Sequence, residues 1–153
     1  MTAVRISDAL LLLACASIYV GTGVTLVFFL FPIAPELRPD TYRAPFVLPV
    51  TAATRFFTYM TTAMLAGSAA LVVLEWSSGR WLPGALYLVL TAAATVLTVW
   101  RIFPLNRRMA DGIRDARELQ SVLASWTRMN TVRAALWALQ WASIAAWWIH
   151  RAV

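Results

Sequence analysis

The sequence has few of the side chains that hold metals or act as nucleophiles. Its 153 residues include one histidine, one cysteine and seven acidic residues. One imidazole and one thiol cannot form a haem ligand pair, a copper site or a di-iron site, and a lone Cys15 excludes an internal disulfide. The sequence also lacks a phosphate-binding glycine loop and a nucleophile and base motif. We therefore expect no metal site and no bound cofactor.

Charge is scarce as well. Charged residues make up 13% of the chain and hydrophobic residues 61%, and the mean hydropathy is +0.69, which is far too apolar for a soluble domain. Three charge-free runs, residues 9–35, 56–74 and 82–100, reach the roughly 20 residues that a membrane-spanning helix needs. A fourth, residues 134–149, is long enough if it extends backward past Arg133, whose side chain can reach a polar group. We expect one integral membrane domain, residues 1–153, in the inner membrane of a bacterial cell.

These runs predict an all-α fold, an antiparallel four-helix transmembrane bundle. Its predicted helices cover residues 8–31, 50–74, 82–103 and 129–150 approximately. Residues 110–127 carry apolar side chains on one helical face and charged ones on the other, which predicts an amphipathic surface helix between the third and fourth membrane helices. Five prolines between Pro32 and Pro49 predict an ordered, extended first connection.

The basic residues are distributed unevenly along the chain. All thirteen are arginines, and the net charge is +6. Ten of them lie in or beside the first and third connections: Arg38, Arg43, Arg55, Arg101, Arg107, Arg108, Arg114, Arg117, Arg128 and Arg133. Beside apolar spans such basicity indicates anionic headgroups, so we expect the lipid bilayer as a partner and no nucleic acid. The positive-inside rule then places both termini outside, although arginines retained for a site would give the same bias.

One face of the fourth predicted helix is both polar and aromatic. Its residues follow the spacing i, i+4, i+7, i+11 and i+14: Trp126, Asn130, Arg133, Trp137 and Gln140. Polar groups in a membrane helix must face the bundle or a watery cavity, because lipid offers them no partners. This face therefore predicts a site between the helices.

The second and third predicted helices have polar faces of their own. These carry Arg55, Tyr59 and Thr62 on the second helix and Thr91, Thr95 and Thr98 on the third. Together with the fourth helix they predict a cavity with one or two guanidinium groups near its mouth. The threonines have a second explanation, because threonine in a membrane helix often bonds its own backbone.

Two short motifs add a family resemblance. Pro104 and Asn106 in "FPLNRRM" are followed by Trp126, Asn130 and Arg133 in "WTRMNTVR". With the plan of four apolar helices, this pattern resembles the anthrone-oxygenase-like family of small four-helix membrane proteins, most of which have no assigned function. The resemblance covers essentially the full chain.

The resemblance implies oxidation of a hydrophobic phenolic or polycyclic aromatic molecule by O2 without a cofactor. Such a protein has to bind a flat ring, stabilise its oxyanion and admit oxygen. Catalytic roles then fall to Asn106, Asn130 and Arg133, and substrate-binding roles to Trp126, Trp137, Arg101, Arg55 and Tyr59. The proton acceptor stays open, with Tyr59 as its candidate.

A non-catalytic interpretation also stays open. The chain would then be a subunit or assembly factor of a larger homo- or hetero-oligomeric membrane complex. Asn106 and Asn130 would bond backbone, and Arg133 would pair with Glu118 or Asp115. A cavity wide enough for fused rings would favour the oxygenase, and a bundle packed shut would favour the subunit. A transporter has less support, because the predicted spans lack pump-like carboxylates and inverted symmetry.

Overall fold

The computed structural model describes residues 3–152, which are almost entirely helical and contain no strand. The α-helices are α1 (Ala3–Thr25), α2 (Leu48–Trp76), α3 (Leu82–Leu97), α4 (Phe103–Asp111) and α5 (Ala116–Ala152). Three π-helical turns adjoin them, at Leu26–Leu30, Arg43–Val47 and Thr98–Ile102. Residues 3–152 thus form four long helical segments, because α3 and α4 are joined through the third π-helical turn.

Three of these segments are long and apolar enough to cross a membrane: Ala3–Leu30, Arg43–Trp76 and Leu82–Asp111. Large apolar side chains on their outer faces are exposed, as Phe28 and Phe29 show at 68% each. A soluble protein would bury such surface, whereas lipid solvates it. The prediction of a helical membrane protein is therefore confirmed for these three spans.

Each π-helical turn lies next to a proline. The turn Leu26–Leu30 precedes Pro32, Arg43–Val47 contains Pro45, and Thr98–Ile102 precedes Pro104. Proline has no N–H for the preceding turn, and a widened turn accommodates the lost bond without ending the helical path. The third predicted helix therefore does not end near residue 103 but continues as α4.

The helices contact one another through a few polar bonds across an apolar core. The Tyr19 hydroxyl lies 2.6 Å from the Thr61 hydroxyl, which joins α1 to α2, and the Tyr87 hydroxyl of α3 donates to the Leu12 carbonyl at 2.9 Å. Gly23 lets α1 approach α5 closely, because a Cβ there would lie 3.2 Å from that of Ala134. Each of α1 and α3 packs against both α2 and α5.

A second apolar core lies at the end of the molecule where the first and third connections meet. The Tyr42 hydroxyl donates to the Met109 carbonyl at 2.8 Å and accepts from the Ile113 N–H at 2.9 Å. Gln120 of α5 donates to the Leu37 carbonyl at 2.9 Å. The first connection consists mainly of helical turns, so the prediction that it is extended is wrong. We call this region the loop cap: residues 31–47 and 102–126.

The predicted surface helix at residues 110–127 is wrong as a separate element. Its apolar face is buried, including Leu119, Leu123 and Trp126, but this face packs against residues of the first connection and not against lipid. The chain bends at Gly112, whose φ of 97° favours glycine, and Asp115 accepts bonds from the first backbone N–H groups of α5. The sequence from residue 116 onward contains neither glycine nor proline, so the helix continues without a break.

Candidate functional site

A cavity of about 270 Å³ lies between α1, α2, α3 and α5. We call it the central cavity. Its polar lining residues are Tyr19, Thr58, Thr61, Thr62, Thr91, Thr95, Thr98, Arg133 and Gln140. Its aromatic lining residues are Phe57, Phe103 and Trp137. The lining contains neither a carboxylate nor an imidazole, so its only charged group is a guanidinium.

Arg133 supplies that guanidinium. One terminal nitrogen donates to Asn130 Oδ1, and the other donates to the Thr98 hydroxyl at 3.4 Å. The guanidinium carbon lies 4.6 Å from the centroid of the Trp137 ring, which is a cation–π distance. Nε is buried and has no hydrogen-bond partner within the described residues. Arg133 is therefore held in place by neutral groups.

The anionic partners that a structural arginine would use are engaged elsewhere. Glu118 pairs with Arg108, and Asp115 caps α5 through the N–H groups of Arg117 and Glu118. Arg133 forms no ion pair with a carboxylate in residues 3–152. The predicted alternative pairing with Glu118 or Asp115 is wrong, because both carboxylates lie in the loop cap and already have partners.

Trp137 and Tyr19 form an aromatic wall beside Arg133. Their ring centroids are 4.7 Å apart at an interplanar angle of 45°, and the Tyr19 ring also lies 5.1 Å from that of Phe57. The Tyr19 hydroxyl is held by the Thr61 hydroxyl and by the Phe57 carbonyl at 3.3 Å. A flat ligand entering the cavity therefore meets fixed aromatic faces and one cation.

Gln140 and Thr91 lie deeper in the bundle than Arg133. The Gln140 amide donates to the Thr91 hydroxyl at 2.5 Å, and that hydroxyl donates to the Tyr87 carbonyl at 2.8 Å. Thr95 and Thr98 likewise bond their own helix at 2.7 Å each while lining the cavity. The threonines of α3 therefore bond their own backbone and line the cavity at the same time.

Asn130 and Trp126 form a separate network that leads away from the cavity. The Asn130 amide donates to the Trp126 carbonyl at 2.8 Å, and Trp126 Nε1 donates to Asn106 Oδ1 at 2.7 Å. Trp126 is 1% exposed and packs edge-on against Phe31 and Phe46 in the loop cap. Trp126 and Asn106 therefore do not line the central cavity, and Asn130 acts there only by holding Arg133.

Three predicted substrate-binding residues also lie outside the cavity. Arg55 and Tyr59 are exposed on α2, where the guanidinium carbon lies 5.9 Å from the ring centroid, and Tyr59 is 65% exposed. Arg101 is exposed at the third π-helical turn. Their exposure places these side chains on the outer surface of the helices, away from the cavity lining. The prediction that these three residues line the same cavity as Arg133 is wrong.

The sequence interpretation missed Tyr19, Phe57 and Thr61. Tyr19 is the only polar aromatic in its part of α1, and one such residue gives no periodic pattern that marks an inner face. Thr61 is one of several threonines on α2, and the other four bond carbonyls of their own helix, so sequence position alone does not mark the one that bonds Tyr19. Only the packing of α1 against α2 shows which of them face the cavity.

The described residues contain no group of three or more His, Cys, Asp and Glu side chains that could hold a metal ion. The central cavity presents aromatic faces, hydroxyls, an amide and one guanidinium, and these groups can contact an apolar ring and stabilise negative charge. In comparisons with known proteins, the sequence matches no protein-family model, and neither a curated protein nor a solved structure gives a match.

Proposed function

We propose that the protein binds a hydrophobic phenolic, polycyclic aromatic molecule in the central cavity and oxidises it with O2 without a bound cofactor, as the anthrone-oxygenase-like resemblance implies. One observation carries this proposal: Arg133 lies in the bundle without a carboxylate partner in residues 3–152, and its side chain lines a cavity. An ionisable group inside a membrane bundle is costly and is typical of a functional site. An oxyanion on a bound ligand is the missing counter-charge.

The proposal includes an antiparallel arrangement of four membrane helices. Arg5 near the start of α1 lies 3.8 Å from Glu75 at the end of α2, whereas Tyr19 reaches Thr61, so residue numbers run in opposite directions along the pair. α5 is too polar to qualify as a span by composition. It nevertheless packs against both α1 and α3, which supports it as the fourth span. The arginine-rich loop cap would face the interior of a bacterial cell.

The size and lining of the cavity suit a small fused-ring molecule. Pockets for small ligands occupy roughly 300–1,000 Å³ and combine apolar walls with a few polar groups. The central cavity, at about 270 Å³, is close to the lower limit and has that composition. Trp137 and Tyr19 would stack on the rings, and Arg133 would lie at the edge that carries oxygen.

The chemistry needs little more than charge stabilisation. When an anthrone-like phenol loses a proton to water at the cavity mouth, Arg133 stabilises the resulting anion, and this electron-rich anion transfers electrons to O2. The methylene carbon loses two hydrogens, one oxygen atom becomes its carbonyl, and the other leaves as water. Asn130 is a positioning residue, because it holds the guanidinium and lies outside the lining.

Oxygen uptake by the purified protein in detergent tests this proposal. With an anthrone as substrate, uptake should exceed spontaneous oxidation. Arg133→Gln should lower the catalysed rate about 10²- to 10³-fold, as loss of one charge-stabilising donor does in other enzymes. The matched control is Arg128→Gln, an exposed arginine on the same helix, which should leave uptake unchanged. Equal uptake by wild type and Arg133→Gln would contradict the proposal.

A non-catalytic membrane subunit is the second candidate. The observation in its favour is the Asn106–Trp126–Asn130 network, in which the motif residues bond one another inside the protein. Under this interpretation the motifs fasten the loop cap to the bundle. Uptake no faster than autoxidation across anthrones and hydroquinones, with a folded wild type, would favour it.

A further inference from the structure

A second cavity of about 360 Å³ lies between α4, the start of α2 and the π-helical turn before α2. We call it the outer cavity. Its apolar side is formed by Phe46, Val47, Val50 and Met109. Asn106 and Arg107 supply its amide and its charge. It therefore resembles an amphiphile-binding pocket at the level of the loop cap.

The polar groups of the outer cavity have a defined direction. Trp126 Nε1 can only donate, so the Asn106 oxygen must face it and the Asn106 NH2 group points elsewhere. That NH2 group donates to no other group in residues 3–152, and Arg107, which is exposed, makes no ion pair there. The outer cavity thus offers a fixed amide donor and a free guanidinium to an acidic oxygen.

The two cavities meet at Phe103, which lines both of them. Threonines of α2 continue from one to the other: Thr51 and Thr54 line the outer cavity, and Thr58 lines the central cavity. Their hydroxyls bond the carbonyls four residues earlier, at 2.7 to 2.9 Å, so the row needs no partner from another helix. Phe103 is therefore the residue that the two cavities share.

We propose that the outer cavity is a loading site for an aromatic molecule that carries an acidic oxygen group, and that movement of the Phe103 ring admits the molecule to the central cavity. Asn106 and Arg107 hold the acidic group first, and Arg133 then receives the phenolic edge. This inference rests on the proposed function of the central cavity. It adds a second site, a gate and an acidic group to the substrate class.

Stopped-flow quenching of tryptophan fluorescence measures such loading in detergent-purified protein. The probes are 1,8-dihydroxyanthraquinone and its 3-carboxylate, which differ by one acidic group. Phe103→Leu should raise the association rate constant of both probes several-fold, and Phe103→Trp should lower it. Because a gate acts on loading and release alike, Phe103→Leu should also raise the dissociation rate constant of both probes, and Phe103→Trp should lower it. Phe56→Leu, on the exposed face of α2, is the control and should alter neither rate.

Arg107→Gln should slow association of the carboxylated probe several-fold and leave the neutral probe unchanged, because only the carboxylate is attracted by the guanidinium. Arg114→Gln, another exposed arginine of the same end, is the control. The loading site would be overturned if both probes associated with the Phe103 variants at the wild-type rate. It would also be overturned if the carboxylated probe associated with Arg107→Gln at the wild-type rate. In either case, binding of the probes to wild type would still support the central cavity as a site. If neither probe binds wild type, both proposals fail. Thermal unfolding of each variant identifies any that is misfolded, and the opposite effects expected of Phe103→Leu and Phe103→Trp keep the test decisive.

Discussion

Asn130 determines how the Arg133 guanidinium is presented to the central cavity. It accepts from Arg133 and donates to the Trp126 carbonyl, so its amide connects the site with the loop cap. Asn130→Asp keeps the shape of the side chain but places a carboxylate against the cation. We expect the variant to fold, because the new ion pair replaces the bond to Arg133.

Asn130→Asp should nevertheless lose affinity for a phenolic ligand, because Arg133 then has its counter-charge within the protein. The loss should be about tenfold or more, since one charge-assisted bond contributes at least ~1.5 kcal/mol. Equilibrium titration of 1,8-dihydroxyanthraquinone by fluorescence quenching measures it. Unaltered affinity would show that Arg133 does not meet the ligand's anion. The neutral ring system anthracene is the control ligand and should bind wild type and variant equally.

At the scale of single residues, the sequence predicted which way the side chains of the fourth predicted helix point, but not how deep in the bundle each one lies. Arg133, Trp137 and Gln140 line the cavity because polar groups in an apolar helix mark its inner face. Trp126 shares that face but lies seven residues earlier, which at about 1.5 Å per residue places it about 10 Å away, in the loop cap. A helical wheel shows the angle of each side chain around the helix axis but not its position along that axis.

One buried phenol joins the first connection to the chain around the bend between α4 and α5. Tyr42 is 1% exposed, and its hydroxyl bonds the Met109 carbonyl of α4 and the Ile113 N–H in the link to α5. Tyr42→Phe leaves the Ile113 N–H buried without that acceptor, which costs about 1–3 kcal/mol. We expect faster hydrogen exchange at residues 110–118, measured by mass spectrometry in detergent.

Ligand binding by the same variant tests whether the loop cap and the central cavity are independent. Phe103 is the one loop-cap residue in the lining of the central cavity, so Tyr42→Phe should bind 1,8-dihydroxyanthraquinone as wild type does. Tyr59→Phe, which removes a hydroxyl from an exposed tyrosine, is the control and should leave exchange unchanged. Unchanged exchange in Tyr42→Phe would show that the link is held by apolar packing alone.

At the scale of elements, composition predicted the three apolar spans well and the connections poorly. An amphipathic segment beside a membrane has two ways to bury its apolar stripe, against lipid or against protein. For residues 116–127 the first connection covers the stripe, and that contact is between segments about 80 residues apart, as Gln120 and Leu37 show. Local periodicity contains no information about such a partner.

The whole molecule is electrically asymmetric. Contacts between the first and third connections place eight exposed arginines at one end: Arg38, Arg43, Arg101, Arg107, Arg108, Arg114, Arg117 and Arg128. The other end contains Arg5 and Arg80 together with the carboxylates Asp8 and Glu75. The positive-inside rule, applied to this asymmetry, predicts an orientation with the loop cap on the cytoplasmic side. The outer cavity, at the arginine-rich end, would then open toward the cytoplasm.

Cysteine labelling in intact bacterial cells tests that orientation. Ser77→Cys, in the exposed connection between α2 and α3, should react with a membrane-impermeant maleimide added outside. Asp40→Cys, exposed in the first connection, should react only after the membrane is opened. The wild-type protein is the control, because Cys15 is buried and should not react at all. The reverse pattern would place the loop cap outside, and an acidic aromatic molecule would then reach the outer cavity from the extracellular side.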